Sequence, residues 1–312
     1  MSAFADIVQG EAPAKPVPAP KSRDGNEFVT PNGTRITFHE KPHRHYKING
    51  ERVASVTQVL DVIDKPALKW WGMKVGVAGV LELVREHNLR PEFSSVEEIV
   101  GTTGAPGLLT QHKLTVNHVR EEAAARGTRV HDALEVWSHN RVRPNPLDYP
   151  EEERGYIRGL LTFIDEISPE PDGIEVMVGS VTHKFAGRCD LLRALVREPR
   201  IGTVAIDKEG NALRGIIPAG RYLLDLKTSA SIYDEAMLQV EGYEGASVEC
   251  GWEPTDFRAV VRVSEDGRYE FVRSEATYDD FLAARQLFDA MRRLKERRAR
   301  VGRDGKGGRR DS

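Results

Sequence analysis

The sequence predicts an α/β protein: a small mixed β-sheet flanked by helices, preceded by a helix-rich N-terminal half. Three observations carry this expectation. Apolar residues recur at helical spacing over most of residues 114–139 and 151–167. From about residue 174 the pattern changes to short alternating or continuous apolar runs separated by turn residues, with one helical stretch among them. The chain has 312 residues, of which 39% are hydrophobic, enough to bury a proper core.

Residues 1–25 are rich in Pro and Ala with little to bury, and read as a flexible leader. Order is expected to start at Glu27-Phe28-Val29. A hairpin comes next over 34–38 and 46–48, turning through Lys41-Pro42, and Asn49-Gly50 makes a second tight turn before Arg52-Val53. Ser55-Val56-Thr57 starts a helix over 58–63, and Pro66 opens another that carries Trp70 and Trp71. The long stretch 114–139 is expected to bend near Gly127-Thr128. A helix at 151–167 precedes a hairpin of 174–181 and 185–195 around Thr182-His183-Lys184. An extra hairpin occupies about 198–220. A buried strand at 221–228, a helix at 232–248 and strands at 257–263 and 269–272 come after it. The helix joins the strands at 221–228 and 257–263 as parallel neighbours. A last helix covers 278–300. Residues 26–291 thus read as one domain.

Several classes of protein are set aside by composition. No window approaches eighteen consecutive apolar residues, so no membrane-spanning helix is expected. The first residues lack a basic stretch followed by an apolar one, so no secretory signal is expected. Two cysteines, Cys189 and Cys250, support neither a disulfide framework nor a four-thiolate iron–sulfur cluster. The expectation is a reduced, cytoplasmic protein without a membrane partner. There is no Gly-x-x-x-x-Gly-Lys phosphate loop, hence no nucleotide-driven motor.

Charge is uneven. The net charge is −3, yet residues 292–312 hold ten basic and three acidic side chains. A basic tail on an acidic body suits a polyanion; a solvated helix end is the alternative.

The chemistry-bearing residues start with Asp225-Leu226-Lys227. On a strand, residues two apart share a face, so Asp225 and Lys227 project together with Leu226 behind. A carboxylate for a hard cation beside an ammonium for water or phosphate suits metal-assisted phosphodiester cleavage. Chance alone gives roughly two such spacings in a chain with 48 acidic residues, so the motif needs context. Asp190 supplies some, since its neighbours Leu191 and Leu192 are of buried type and a carboxylate among them needs a partner. Glu175, on the preceding strand, is placed to reach the same region. Converging carboxylates suggest a divalent-cation site, and an Asp capping a turn is the alternative. His131 and Glu135 share one helix face, as do Gln239 and Tyr243. Imidazole is a metal ligand or a core group; Gln and Tyr are donors to phosphate or base, or ordinary helix side chains. His39, His43 and His45 read as a polar hairpin, and Trp70 and Trp71 as core.

In order, Gly-x-x-x-His (127–131), Gly-x-x-Asp (187–190), Asp-x-Lys-Thr (225–228) and Gln-x-x-x-Tyr (239–243) resemble the RecB-like branch of the PD-(D/E)xK nuclease superfamily. The resemblance spans about residues 55–275, and Ser55-Val56-Thr57-Gln58-Val59-Leu60 looks like the opening of phage-encoded members. It implies a restriction-endonuclease-like core and a metal-dependent DNA nuclease using Mg²⁺ or Mn²⁺. An exonuclease acting on DNA ends in recombination or repair is the form it implies first. An endonuclease, an RNA nuclease or an inactive nucleic-acid-binding accessory are the alternatives. By the same resemblance, His131, Asp190 and Asp225 are metal ligands with the Leu226 carbonyl as a fourth, and Lys227 activates water. Gln239 and Tyr243 hold the DNA strand, and Glu135 and Glu175 are outer partners. A single-strand annealing protein is an implied partner. Three departures stand out: Cys189 replaces the proline that names the superfamily, the gap from Asp190 to Asp225 is lengthened by the extra hairpin, and the four cysteines of the iron–sulfur subgroup are missing. Oligomeric state is not encoded in any of these motifs.

Overall fold

The computed structural model describes residues 27–40, 43–86 and 105–307. The expected leader at 1–25, the turn at Lys41-Pro42 and the last residues of the basic tail lie outside the described residues. Strands β1 (Glu27–Val29), β2 (Arg35–His39), β3 (His45–Ile48) and β4 (Glu51–Ser55) form an antiparallel meander. Asn49 and Gly50 take positive φ values of 50° and 86° in the two-residue turn between β3 and β4, as such a turn demands. Ser55 then caps α1 (Val56–Val59) through a reciprocal pair of bonds with Gln58, and a 3₁₀ turn at Leu60–Val62 continues it.

Four helices come next: α2 (Pro66–Glu86), α3 (Ala105–Gln111), α4 (Val116–Asn140) and α5 (Arg154–Ile167). Two expectations are corrected here. Trp70 is 64% exposed rather than core. Helix α4 runs without a break through Gly127, whose bare Cα lets the helix approach the 225–228 segment; a Cβ there would sit 3.3 Å from the Thr228 hydroxyl.

The second half comprises β5 (Gly173–Ser180), β6 (Phe185–Val196), β7 (Arg200–Ile206), β8 (Ala212–Ile217), β9 (Gly220–Lys227), α6 (Asp234–Glu249), β10 (Phe257–Val263), β11 (Tyr269–Arg273) and α7 (Tyr278–Gly307). The α/β class is as expected, but the sheet is large. Nine strands join in the order β1-β2-β3-β4-β6-β9-β10-β11, with β5 on the other side of β6. Most pairs are antiparallel; β4–β6 and β9–β10 are parallel. The sheet outgrows the expected one because Ala54 and Ser55 pair with Phe185 and Ala186, which splices the N-terminal meander onto the later strands. The N-terminal half is accordingly strands first and helices after. The inserted hairpin β7–β8 forms its own two-stranded sheet.

Two apolar layers cover the sheet. One face packs Tyr222, Leu224 and Leu226 against α4 and α5 through Leu134, Leu160 and Phe163. The other packs Leu223 and Val260 against α1, α6 and α7 through Val56, Val240 and Phe281. Each such fully buried side chain contributes about 1.5–3 kcal/mol over its exposed state. Among the described residues no helix is long and apolar enough to cross a membrane.

Candidate metal centre

The site sits where the sheet forks. Along one edge of β6, β4 pairs with Phe185 and Ala186 while β9 pairs from Leu191 onward. Residues 187–190 lie in the gap between them. Strand β9 in turn runs three residues past Leu224, its last partner of Leu191, to Asp225, Leu226 and Lys227. The Leu226 amide, which would otherwise extend the ladder, donates instead to the Asp190 carboxylate at 2.6 Å. A buried amide requires an acceptor, so Asp190 is part of the backbone pairing as well as of the site.

Alternation along β9 sets the rest. Leu224 and Leu226 belong to the layer under α4 and α5, whereas Asp225 and Lys227 line a cavity of about 600 Å³ next to α6. Lys227 Nζ is 2.6 Å from Asp225 Oδ2. It also donates to Gln239 Oε1 at 3.0 Å. The Gln239 amide nitrogen donates to Asp225 Oδ1 at 3.3 Å and to the Tyr243 hydroxyl at 2.7 Å. Gln239 and Tyr243, one turn apart on α6, are both buried. They hold the Asp–Lys pair in place, a positioning task added to the strand-binding one that the resemblance implies.

His131 reaches the same cavity from α4, its Nδ1 3.1 Å from Asp190 Oδ1 and 4.0 Å from Glu175 Oε1. Glu175 lies on β5 between Ile174 and Val176, which pair with Leu191 and Cys189; it therefore stands across from Asp190. Two carboxylates opposite one another on neighbouring strands repel unless cations separate them. Glu175 also has φ of 52°, a left-handed conformation that costs a non-glycine residue about 1–2 kcal/mol. One ligand atom each from His131, Glu175 and Asp190 lie within 4.8 Å of one another.

A divalent cation fits this set. Such ions bind nitrogen and oxygen ligands at about 2.0–2.5 Å, so donors a few ångströms apart are what one ion draws together. Asp225 Oδ2 is buried with no hydrogen bond among the described residues, its contact with Lys227 being an ion pair outside hydrogen-bonding geometry. That oxygen could serve a cation held by the neighbouring trio. The close trio thus contains Glu175, expected only as an outer partner, while Asp225 borders it, tied to Lys227. Glu135, one turn along α4 from His131, is not among the residues lining the cavity. The Leu226 side chain is packed in the apolar layer and only its backbone belongs to the site.

Burial and proximity set the electrostatics. Burial opposes charge on His131, but Asp190, Glu175 and Asp225 outweigh it and hold its pKa up at about 9. For Asp190 burial is likewise outweighed, by the His131 charge and the Leu226 amide, and its pKa falls. Burial raises Asp225 in spite of Lys227. Lys227 is kept protonated because Asp225 and Asp190 overcome its desolvation. Burial pushes the Tyr243 hydroxyl well up, so it acts as a donor and not a base.

The cavity also contains residues to which no motif points. Arg188 and Arg44 line it, their guanidinium carbons 5.4 and 5.6 Å from the Phe38 ring. Arg188 is in principle legible, since it lies two residues before Asp190 on one strand. Gly187 is there because Tyr243 lies on it: a Cβ would meet Tyr243 Cε1 at 2.4 Å. The sequence matches no protein-family model and no characterised protein, and the site's chemistry is therefore argued from its own geometry.

Proposed function

We propose that this cavity hydrolyses phosphodiester bonds in DNA with Mg²⁺ or Mn²⁺, acting as a nuclease of the PD-(D/E)xK kind and working from DNA ends in the cytoplasm. The observation that carries the reading is convergence. Residues 131, 175, 190, 225 and 227, from one helix and three strands, line a single cavity, with an ammonium beside three carboxylates. The parallel β9–α6–β10 unit next to the β5–β6 hairpin supports the same core. His131, Glu175 and Asp190 would hold the ion, with Asp225 at its border. When bound, the ion polarises the phosphate and makes a bound water a better nucleophile.

The protein's own groups supply the remainder. Lys227, charged and fixed by Asp225 and Gln239, donates to the attacking water or to the phosphate oxygen on which charge grows. The Tyr243 hydroxyl accepts from Gln239 and keeps its proton to donate to the strand. Water adds to phosphorus and gives up one proton, the P–O bond to the leaving oxygen breaks, and that oxygen takes up one proton, so diester and water become an alcohol and a phosphomonoester. Helix α4 lines the same cavity through Ala124, Gly127, Thr128 and His131, and α6 through Gln239 and Tyr243.

Two volume-conserving substitutions test this: Lys227→Gln and Asp225→Asn. Incubated with end-labelled duplex and Mg²⁺, each is expected to cut at least 10²–10³-fold more slowly with an unchanged circular dichroism spectrum. Release of labelled mononucleotides identifies end-directed digestion, whereas internal fragments identify an endonuclease. Wild-type rates in either variant overturn the reading.

A further inference from the structure

Arg188 occupies an unusual position for a half-buried arginine. Its side chain is 12% exposed, yet Nε has no hydrogen-bond partner among the described residues. Its nearest carboxylate oxygen, Glu175 Oε2, is 3.8 Å from Nη1, beyond hydrogen-bonding distance. A structural arginine normally has its donors filled, because leaving a buried polar group unpaired is costly. What fixes Arg188 is the Phe38 ring, over which its guanidinium lies at 5.4 Å. Arg44 takes the same ring at 5.6 Å and is itself exposed. Phe38 is thus a platform that presents two guanidinium groups to the cavity that holds Asp190 and Lys227.

We infer that Arg188, assisted by Arg44, is a binding site for a second phosphate of the substrate strand, separate from the phosphate that is cut. The inference rests on the reading of the cavity as one that takes a phosphodiester strand. The planar guanidinium fork matches phosphate oxygens and, being always charged, needs no proton adjustment to do so. The stacked ring holds the fork in advance, so little side-chain freedom is lost on binding. Glu175 faces two basic side chains of the site, His131 on one oxygen and Arg188 on the other. Its 3.8 Å approach to Arg188 aligns the guanidinium without taking a hydrogen bond from it.

The test is binding, measured as fluorescence anisotropy of labelled blunt duplex in EDTA across a salt series, where no cleavage occurs. Arg188→Met keeps the apolar stem and removes the charge. It is expected to weaken binding roughly tenfold or more and to lower the slope of log affinity against log salt by about one. Arg44→Met, at an exposed position that tolerates change, is expected to shift both in the same direction by less. Arg197→Met removes an equal charge from an exposed arginine paired with Glu170, outside the cavity, and is expected to leave the slope alone. Duplexes with hydroxyl ends and with phosphorylated ends separate the two sources of the phosphate: loss in both identifies an internal diester, loss only with the latter a terminal monoester. An Arg188→Met protein with wild-type affinity and slope overturns the site while leaving the nuclease reading intact. Arg188-dependent binding without cleavage at any Mg²⁺ or Mn²⁺ concentration sustains the site and overturns the nuclease. A wild-type protein that binds no duplex overturns both.

Discussion

Replacing Asp190 by alanine and by asparagine separates two jobs that one carboxylate does. Oδ2 accepts the Leu226 amide at 2.6 Å, in the interior, where β9 has run out of ladder partners on β6. Oδ1 faces His131 at 3.1 Å and the other donors of the His131–Glu175–Asp190 trio. Asparagine has nearly the same volume and a carbonyl that still accepts from Leu226, so the backbone bond survives while the charge is lost. Alanine removes both and leaves a buried amide without an acceptor, which costs about 1–3 kcal/mol, with a further loss from the space left behind. The two variants are therefore expected to differ from each other by about 2 kcal/mol in urea unfolding, with alanine the less stable. At roughly 2–4 °C per kcal/mol for a protein of this size, their melting temperatures should differ by several degrees. Calorimetric titration with Mn²⁺ is expected to show strongly reduced binding for both, because a neutral side chain replaces an anionic ligand. Equal stability of the alanine and asparagine proteins refutes the backbone role of Asp190. Wild-type Mn²⁺ affinity in the asparagine protein refutes its role at the cation.

Other substitutions probe the surroundings. Gly187→Ala drives a methyl to 2.4 Å from Tyr243 Cε1 and 3.2 Å from Val56 Cγ2; the overpacking is expected to cost about 1–3 kcal/mol in urea unfolding and, by displacing Tyr243 and Gln239, to slow cleavage. Gly127→Ala, with 3.3 Å to a single hydroxyl, is expected to be milder in both assays. Removing residues 292–312 deletes ten basic side chains and is expected to weaken duplex binding and flatten its salt dependence; an unaltered slope in the same anisotropy assay makes the tail a solvated end. Because His131 is protonated up to about pH 9 and a metal-bound imidazole is neutral, Mn²⁺ binding at about pH 7.5 is expected to release about one proton. Titrations in buffers of different ionisation enthalpy measure it, and affinity should rise with pH toward that value and level off above it.

Features set by sequence period are the ones legible in the chain itself. The alternation of Tyr222, Leu224 and Leu226 with Leu223, Asp225 and Lys227 separates the layer under α4 and α5 from the α6 face that carries the site, by the two-residue repeat of a strand alone. Helical spacing likewise groups Gln239 with Tyr243, and Asn49-Gly50 announces its turn. The rest depends on contacts between distant residues or on backbone angles that composition does not encode. The size of the sheet hinges on Ala54 meeting Phe185, a partner from the other half of the chain. Glu175 stands across from Asp190 in the close trio with a φ of 52°, and nothing in the residue type announces that angle. Gly127 reads as a helix breaker in isolation; its purpose is visible only with Thr228 beside it. Trp70 violates the usual preference of large aromatics for the interior, and among the described residues the structure offers no explanation of its exposure.

The charges of the cavity explain why these departures belong together. In the inner part of the cavity three carboxylates, Glu175, Asp190 and Asp225, meet three cationic side chains, His131, Arg188 and Lys227, so it is close to neutral, while the exposed Arg44 adds a positive charge at the rim. That balance makes the cross-strand pair of acids tolerable inside a fold. Adding a divalent cation contributes two positive charges, and the proton that His131 gives up removes one of them. The inner groups then have an excess of about one positive charge, which is what one phosphodiester neutralises, and Arg44 at the rim adds another. Cation and strand should therefore bind cooperatively, since each without the other leaves charge uncompensated in a medium less polarisable than water. A left-handed glutamate and an arginine lying on a phenylalanine are reasonable costs for such a site: Glu175 balances one of the inner cationic side chains, and Arg188 must be held by a ring rather than by a carboxylate if its donors are to remain open.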